Sequence, residues 1–204
     1  MPPCHALLLR YAGVAEGDDV ALVAQVTRHA GSLASVVART TVHRGLSGPD
    51  VYAYCEFAAA AQCSDGQRDA FERGAQALPV FASGTLTVAR LERQFEPRAA
   101  SAGQPAPFHY VVETDPAAGW QDELMRWYDA EHMPGLAAVT GCVRAQRFVD
   151  RDRGPLSLAC YDLVRPETKE SPAWLAVRHT AWSDRVRPQF RNTKRTMFRT
   201  LPQR

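Results

Sequence analysis

The chain has 204 residues, 46% of them apolar and 23% charged, with a formal net charge of +2. That balance suits a globular protein able to bury a core, and so weak a net charge gives no electrostatic case for nucleic acid or a membrane surface as a partner. The apolar run in MPPCHALLLRYAG is too short for an export signal, and nothing later approaches the ~18 apolar residues of a membrane span. The five cysteines (Cys4, Cys55, Cys63, Cys142, Cys160) are scattered without a C-x-x-C pair, which predicts a cytoplasmic protein with reduced thiols and no disulfides.

Taken in chain order, hydrophobic periodicity predicts a strand over 5–11, a helix over 19–29, strands over 33–43 and 51–57, a helix over 64–76 and a strand over 84–95. The stretch 96–107, EPRAASAGQPAP, has no periodicity and reads as a linker. Beyond it come a strand over 108–113, a helix from about 120, strands over 141–150 and 156–164, a helix over 172–182 and a strand over 195–201. Each half is βαββαβ. Both helix-to-strand junctions carry a glycine, Gly31 and Gly141, and both opening strands, CHALLL and FHYVVE, have a histidine second, His5 and His109. An internal duplication follows, with units at 1–95 and 108–204. A split βαββαβ unit leaves one sheet face bare, and two copies can cover each other. The predicted fold is therefore α+β, two fused ferredoxin-like units packed sheet to sheet as an intramolecular α+β barrel.

Chemistry concentrates in WQDELMRWYDAEHMPGLAAVTGCVRAQRF, from Trp120 to Phe148. Trp120, Leu124, Trp127 and Glu131 follow one helical stripe; Leu124, Tyr128 and His132 follow the next. Pro134 is expected to force Met133 out of helical geometry, so that His132 ends the helix. With an ordinary pKa near ~6.5, His132 is a candidate proton carrier, and Tyr128 a candidate oxyanion donor. The bland alternative is that His132 caps the helix C-terminus. Trp120, Trp127 and Phe148 are candidates to line an apolar pocket, with Arg147 as a further substrate-binding residue, although aromatics at helical spacing also make ordinary core. Glu131 points about 100° away from His132 and is expected in a surface salt bridge. From Arg178 onward eight Lys/Arg face the single acid Asp184, a pattern of a solvated face or of an anion-binding patch. The first half, whose His5 to Gly31 span is shorter than His109 to Gly141, has no room for a second such turn.

The run Trp127-Tyr128-x-x-Glu131-His132-x-Pro134, followed by Gly141 and the strand with Arg144 and Arg147, resembles the dimeric α+β barrel superfamily, particularly its EthD-like members. The likeness covers the second half, and the first half only in its order of elements. It implies a pocket between sheet and helices, with His132 at or near it. The superfamily includes cofactor-free monooxygenases, polyketide cyclases and dehydratases, and haem-degrading enzymes, so the fold alone does not fix the reaction.

No H-x-x-x-H, H-E-x-x-H or Cys/His cluster suggests a metal, and no G-x-S-x-G, P-loop or G-x-G-x-x-G suggests a serine nucleophile or a nucleotide. No cofactor is expected; a haem would need only one histidine, and His132 alone speaks for it. Three functions remain open. One is a small-molecule enzyme acting on a hydrophobic or aromatic carbonyl compound by proton transfer, either as a cofactor-free oxygenase or as a cyclase/dehydratase. Another is a non-catalytic ligand-binding or structural barrel indifferent to His132. The third is RNA binding, weakened because LSLACYDL and VYAYCEF lack the basic-glycine entry that a stacking sheet needs. The expected partner is a small hydrophobic molecule, and the fused pair either stands alone or forms a homodimer.

Overall fold

The computed structural model describes residues 2–13, 17 and 19–203. Its chain divides into one unit of Met1–Arg93, Asp150–Arg153 and Phe198–Arg204, and a second of Gln94–Val149 and Gly154–Met197.

In the first unit, β1 (Cys4–Ala12), α1 (Asp19–Ala30), β2 (Val37–Gly45), β3 (Val51–Ala61), α2 (Asp65–Gln76) and β4 (Thr85–Phe95) follow the predicted order. The strands lie side by side as β4-β1-β3-β2. Leu8 stands opposite Tyr54 on one side and Ala89 on the other, both pairings antiparallel. Alternate strand residues Leu7, Leu9, Ala53, Cys55 and Val88 turn to one face and pack with Leu22, Val26, Phe71 and Ala75 of the helices. Their neighbours Ala6, Leu8, Tyr52 and Tyr54 are buried too. The tyrosines therefore offer no surface on which bases could stack. Helix α2 starts where its sequence says it should: Ser64 Oγ accepts from Gln67 N–H, and the Gln67 side chain accepts from Ser64 N–H. The strand predicted over 33–43 begins later, at Val37, because 31–33 continue the helix as a tight 3₁₀ turn.

The second unit contains β5 (Phe108–Pro116), α3 (Gln121–Trp127), a π-helical turn (Tyr128–His132), α4 (Met133–Ala137), β6 (Cys142–Asp150), β7 (Ser157–Leu163), α5 (Pro172–Arg178), α6 (Ala181–Val186) and the main part of β8 (Phe190–Thr200). Its strands are ordered β8-β5-β7-β6, matching the first unit's order. Val112, Ala145, Ala159, Tyr161 and Leu163 meet Leu124, Trp127, Tyr128, Leu136 and Trp174 on the helix-covered face.

Three expectations are corrected here. The stretch 96–107 forms no regular element, yet it is no free linker. Ala100 N–H donates to Ala137 O, Ser101 N–H to Cys142 O, and the Glu96 carboxylate accepts from Arg144 and Gln146, so the stretch is held within the second unit. The helix predicted over 172–182 is broken at His179. Thr180 becomes the N-cap of α6, its Oγ1 accepting from Ser183 N–H at 3.0 Å. The last strand starts at Phe190 rather than near 195.

Candidate functional site

Proline at 134 does not end the helix at His132, as its sequence suggested. Met133 keeps helical dihedrals (φ −67°, ψ −46°), and its N–H reaches back five residues to Tyr128 O. The wider π turn lets Pro134 enter as an early residue of α4, where its missing N–H costs no helical bond. The same turn redirects side chains. In a regular α-helix residues five apart point some 140° from one another. Here His132 stacks on Trp127, ring centroids 4.1 Å apart at 22°, while Tyr128 meets the imidazole edge-on at 5.7 Å.

These rings form one wall of a cleft within the second unit. The others are Tyr110 and Val112 of β5, Tyr161 of β7, Leu136, Trp174, and the basic residues Arg178, Arg187 and Arg195 with Phe190. The free space in this cleft is small, about 30 Å³, and the cleft is open to solvent. Phe190 and Arg195 are five apart on one strand, which simple alternation would put on opposite faces. Asn192, with φ 49°, interrupts the pleat between them.

His132 is 8% exposed, and its Nδ1 is sealed with no hydrogen-bond partner, as is Trp127 Nε1. Desolvation, reinforced by the charges of Arg187 and Arg178, pushes the imidazole down to about 3. The ring is therefore neutral at neutral pH, and is not the ordinary near-neutral titrating histidine the sequence suggested. Burial raises the Tyr128 phenol well above its usual value, so Tyr128 stays a donor. Tyr161 OH is already committed to Met133 Sδ at 3.0 Å.

Of the sequence candidates, Trp127, Tyr128 and His132 come together. Trp120, the N-cap of α3, lies outside the cleft lining. So does Arg147, which points to the helices: it is 2% exposed and grips Asp129 through two bonds of 2.9 and 2.8 Å, with Nη1 on Met125 Sδ. Phe148 is the next residue on β6, and strand alternation sends it to the opposite sheet face. Glu131, expected in a surface salt bridge, accepts a hydrogen bond from Thr180 Oγ1 at 2.6 Å. His109 is paired through Nδ1 with Asp162, and His5 Nδ1 accepts from Arg93 N–H. The three arginines, Tyr110, Trp174 and Phe190 were not foreseen as site residues; the basic run after Arg178 was their only trace.

Among the described residues, no group of three His, Cys, Asp or Glu is placed to hold a metal ion. His132 is the histidine a haem iron would need; its ring lies flat on Trp127 with Nδ1 sealed, which leaves Nε2 as the nitrogen that could reach one.

No protein-family model and no curated protein matches the sequence. Solved structures do. An anthrone oxidase-like protein aligns over 98% of this chain and 92% of its own, with a TM-score of 0.67 at 15% identity. A candidate monooxygenase from Lactobacillus acidophilus NCFM aligns over 98% and 95%, with a TM-score of 0.64 at 11% identity. Chlorite dismutase from Candidatus Nitrospira defluvii, in complex with imidazole, aligns over 97% and 91%, with a TM-score of 0.60 at 12% identity. The chain shares their fold. These neighbours are of the dimeric α+β barrel superfamily, and at such identities the likeness is one of fold.

Proposed function

We propose that the cleft of the second unit is the active site of a small-molecule enzyme of EthD-like type, acting on an aromatic carbonyl compound without a cofactor. The observation that carries this reading is the π turn. It costs the helix its regular bonding and leaves two buried polar atoms unpartnered, yet it sets a neutral imidazole beside a protonated phenol in an aromatic cleft. Unsatisfied buried groups in a native fold mark strain kept for a purpose or a partner still to arrive.

With Nδ1 sealed, exchange with a ligand falls to Nε2 of His132. A base whose conjugate acid is held so low takes a proton only where a new negative charge compensates, as when the substrate itself becomes the anion. Tyr128 donates a hydrogen bond to the oxygen on which that charge settles. Anthrone, suggested by the anthrone oxidase-like neighbour, makes the chemistry concrete. Its methylene proton passes to His132, leaving the enolate. The enolate carbon forms a C–O bond with dioxygen, and the peroxide takes up a proton. Loss of water, with the remaining C–H proton, leaves anthraquinone; dioxygen is the oxidant and supplies both the quinone oxygen and the water.

The test is oxygen uptake with anthrone above the buffer rate. Wild-type protein should turn it over, Tyr128→Phe should be slowed, and His132→Ala should lose ~10²–10⁴ in rate. Equal rates in His132→Ala and wild type would overturn the catalytic role and favour a non-catalytic ligand-binding protein.

A further inference from the structure

The cleft has a strongly polar end that the chemistry at His132 does not use. Arg178 closes α5, Arg187 follows α6 and Arg195 lies on β8, and the three converge on one lining from three separate elements. Among the described residues none of them makes an ion pair, whereas other arginines of the second unit do: Arg147 with Asp129, Arg144 with Glu96, Arg185 with Glu123. Arg187 Nη1 donates only to the Arg178 carbonyl, at 3.2 Å. Asp184 is the acid whose charge favours the Arg187 guanidinium, and Arg178 and Arg195 oppose it.

Three like charges are held together beside buried aromatic rings, and among the described residues none of them is in an ion pair. Such an arrangement raises the energy of the ligand-free protein and is relieved by an anion. The shape narrows the class of anion. The free space is small, about 30 Å³, which suits a flat head better than a tetrahedral one, and guanidinium forks match carboxylate oxygens two at a time. Tyr110, Phe190 and Trp174 alongside suit a flat aromatic body.

We propose that Arg178, Arg187 and Arg195 form an acid-binding subsite, and that the ligand of this cleft is an aromatic carboxylate. The proposal rests on reading the cleft as a small-molecule site and adds the charge and class of what enters it.

The test is calorimetric titration of the full chain with 2-naphthoate and with 2-naphthamide, which has the same ring and no charge. Naphthoate should bind at least tenfold more tightly, and 0.5 M NaCl should weaken it while leaving the amide unchanged. Arg187→Gln and the exposed Arg195→Gln should each remove most of that preference, with Arg187→Lys retaining part of it. Thermal midpoints within a few degrees of wild type show that the variants fold, and Arg195→Gln keeps the test available if Arg187→Gln does not. Equal binding of naphthoate and its amide would overturn the proposal. So would binding of inorganic phosphate as tight as that of naphthoate, since the aromatic body would then contribute nothing. Arginine-dependent naphthoate binding without anthrone turnover sinks the catalytic reading and leaves the subsite standing; turnover of anthrone with no carboxylate preference does the reverse.

Discussion

A histidine sealed against a tryptophan can stay uncharged in the fold and charge freely only when the chain unfolds. His132 is held down to about 3 by desolvation and by the neighbouring Arg187 and Arg178 charges, against ~6.5 in an unfolded chain. Its folded pKa is the lower one, so the unfolded state binds the extra proton. Stability from this residue is therefore complete above about pH 6.5 and falls as pH drops towards 3, by about 1.4 kcal/mol per unit across the window. Between pH 7 and pH 5 the wild-type protein should lose about 2 kcal/mol that His132→Phe does not lose, measured by urea unfolding at both pH values. The same low value means that kcat/KM should show no limb near pH 6.5 belonging to His132. At Arg147 the structure reassigns a sequence candidate to the fold. Its guanidinium is buried on the half-exposed Asp129 carboxylate, so Arg147→Met should cost about 1–3 kcal/mol in urea unfolding while leaving ligand affinity in the cleft unchanged.

At the scale of the element, the helix around Trp127 was legible as a helix and illegible as a π turn. Periodicity located Leu124, Trp127, Tyr128 and His132 on the buried side, and the structure keeps all four buried. Periodicity assumes 3.6 residues per turn throughout, however, and so aligned Tyr128 with His132 where the fold stacks Trp127 on it. Pro134 was read as a stop because a proline inside a regular helix clashes with the preceding turn; a widened turn removes that clash without ending the helix. A π turn is one residue more than an α-helix needs, which makes it testable by subtraction. Deleting Ala130 should close the π turn and leave Pro134 inside a regular helix, where its clash and missing N–H cost about 3 kcal/mol or more. Trp127 and His132 would then stand four apart, about 40° from one another and still on one side of the helix, so the effect should be read in stability, as a lower midpoint in urea unfolding. Unchanged stability in that variant would show that the π turn is not what accommodates Pro134. The arginine end was hidden for a different reason. It is assembled from the end of α5, the residue after α6 and a strand interrupted at Asn192, and the break at Thr180 was read in sequence as continuous helix.

Across the whole molecule, the order of elements was legible because each strand and helix carries its own period and its own stops, from the Ser64 capping box to Gly141, whose φ of +95° suits a residue without a side chain. Long-range chemistry is a different matter, and the cysteines show how the fold differentiates residues that look equivalent in sequence. All five are free thiols. Burial pushes Cys55 and Cys142 up to about 12. Cys63 is half-buried and lowered to about 7 by its interaction with the neighbouring Cys4 thiol and by the Arg90 guanidinium; Cys4, whose thiol donates to Ala6 O at 3.3 Å, is raised in turn. The thiolate is the reactive form, so alkylation should separate the five by environment. Brief treatment of native protein with iodoacetamide at pH 7.5, followed by peptide mass mapping, should label Cys63 well ahead of Cys4, Cys55, Cys142 and Cys160, and lowering the pH to 6 should slow that labelling about eightfold, against about thirtyfold for an unperturbed thiol. Rapid labelling of Cys55 or Cys142 in folded protein would mean that their strands open readily, and would contradict the burial of β3 and β6 on which both cores depend.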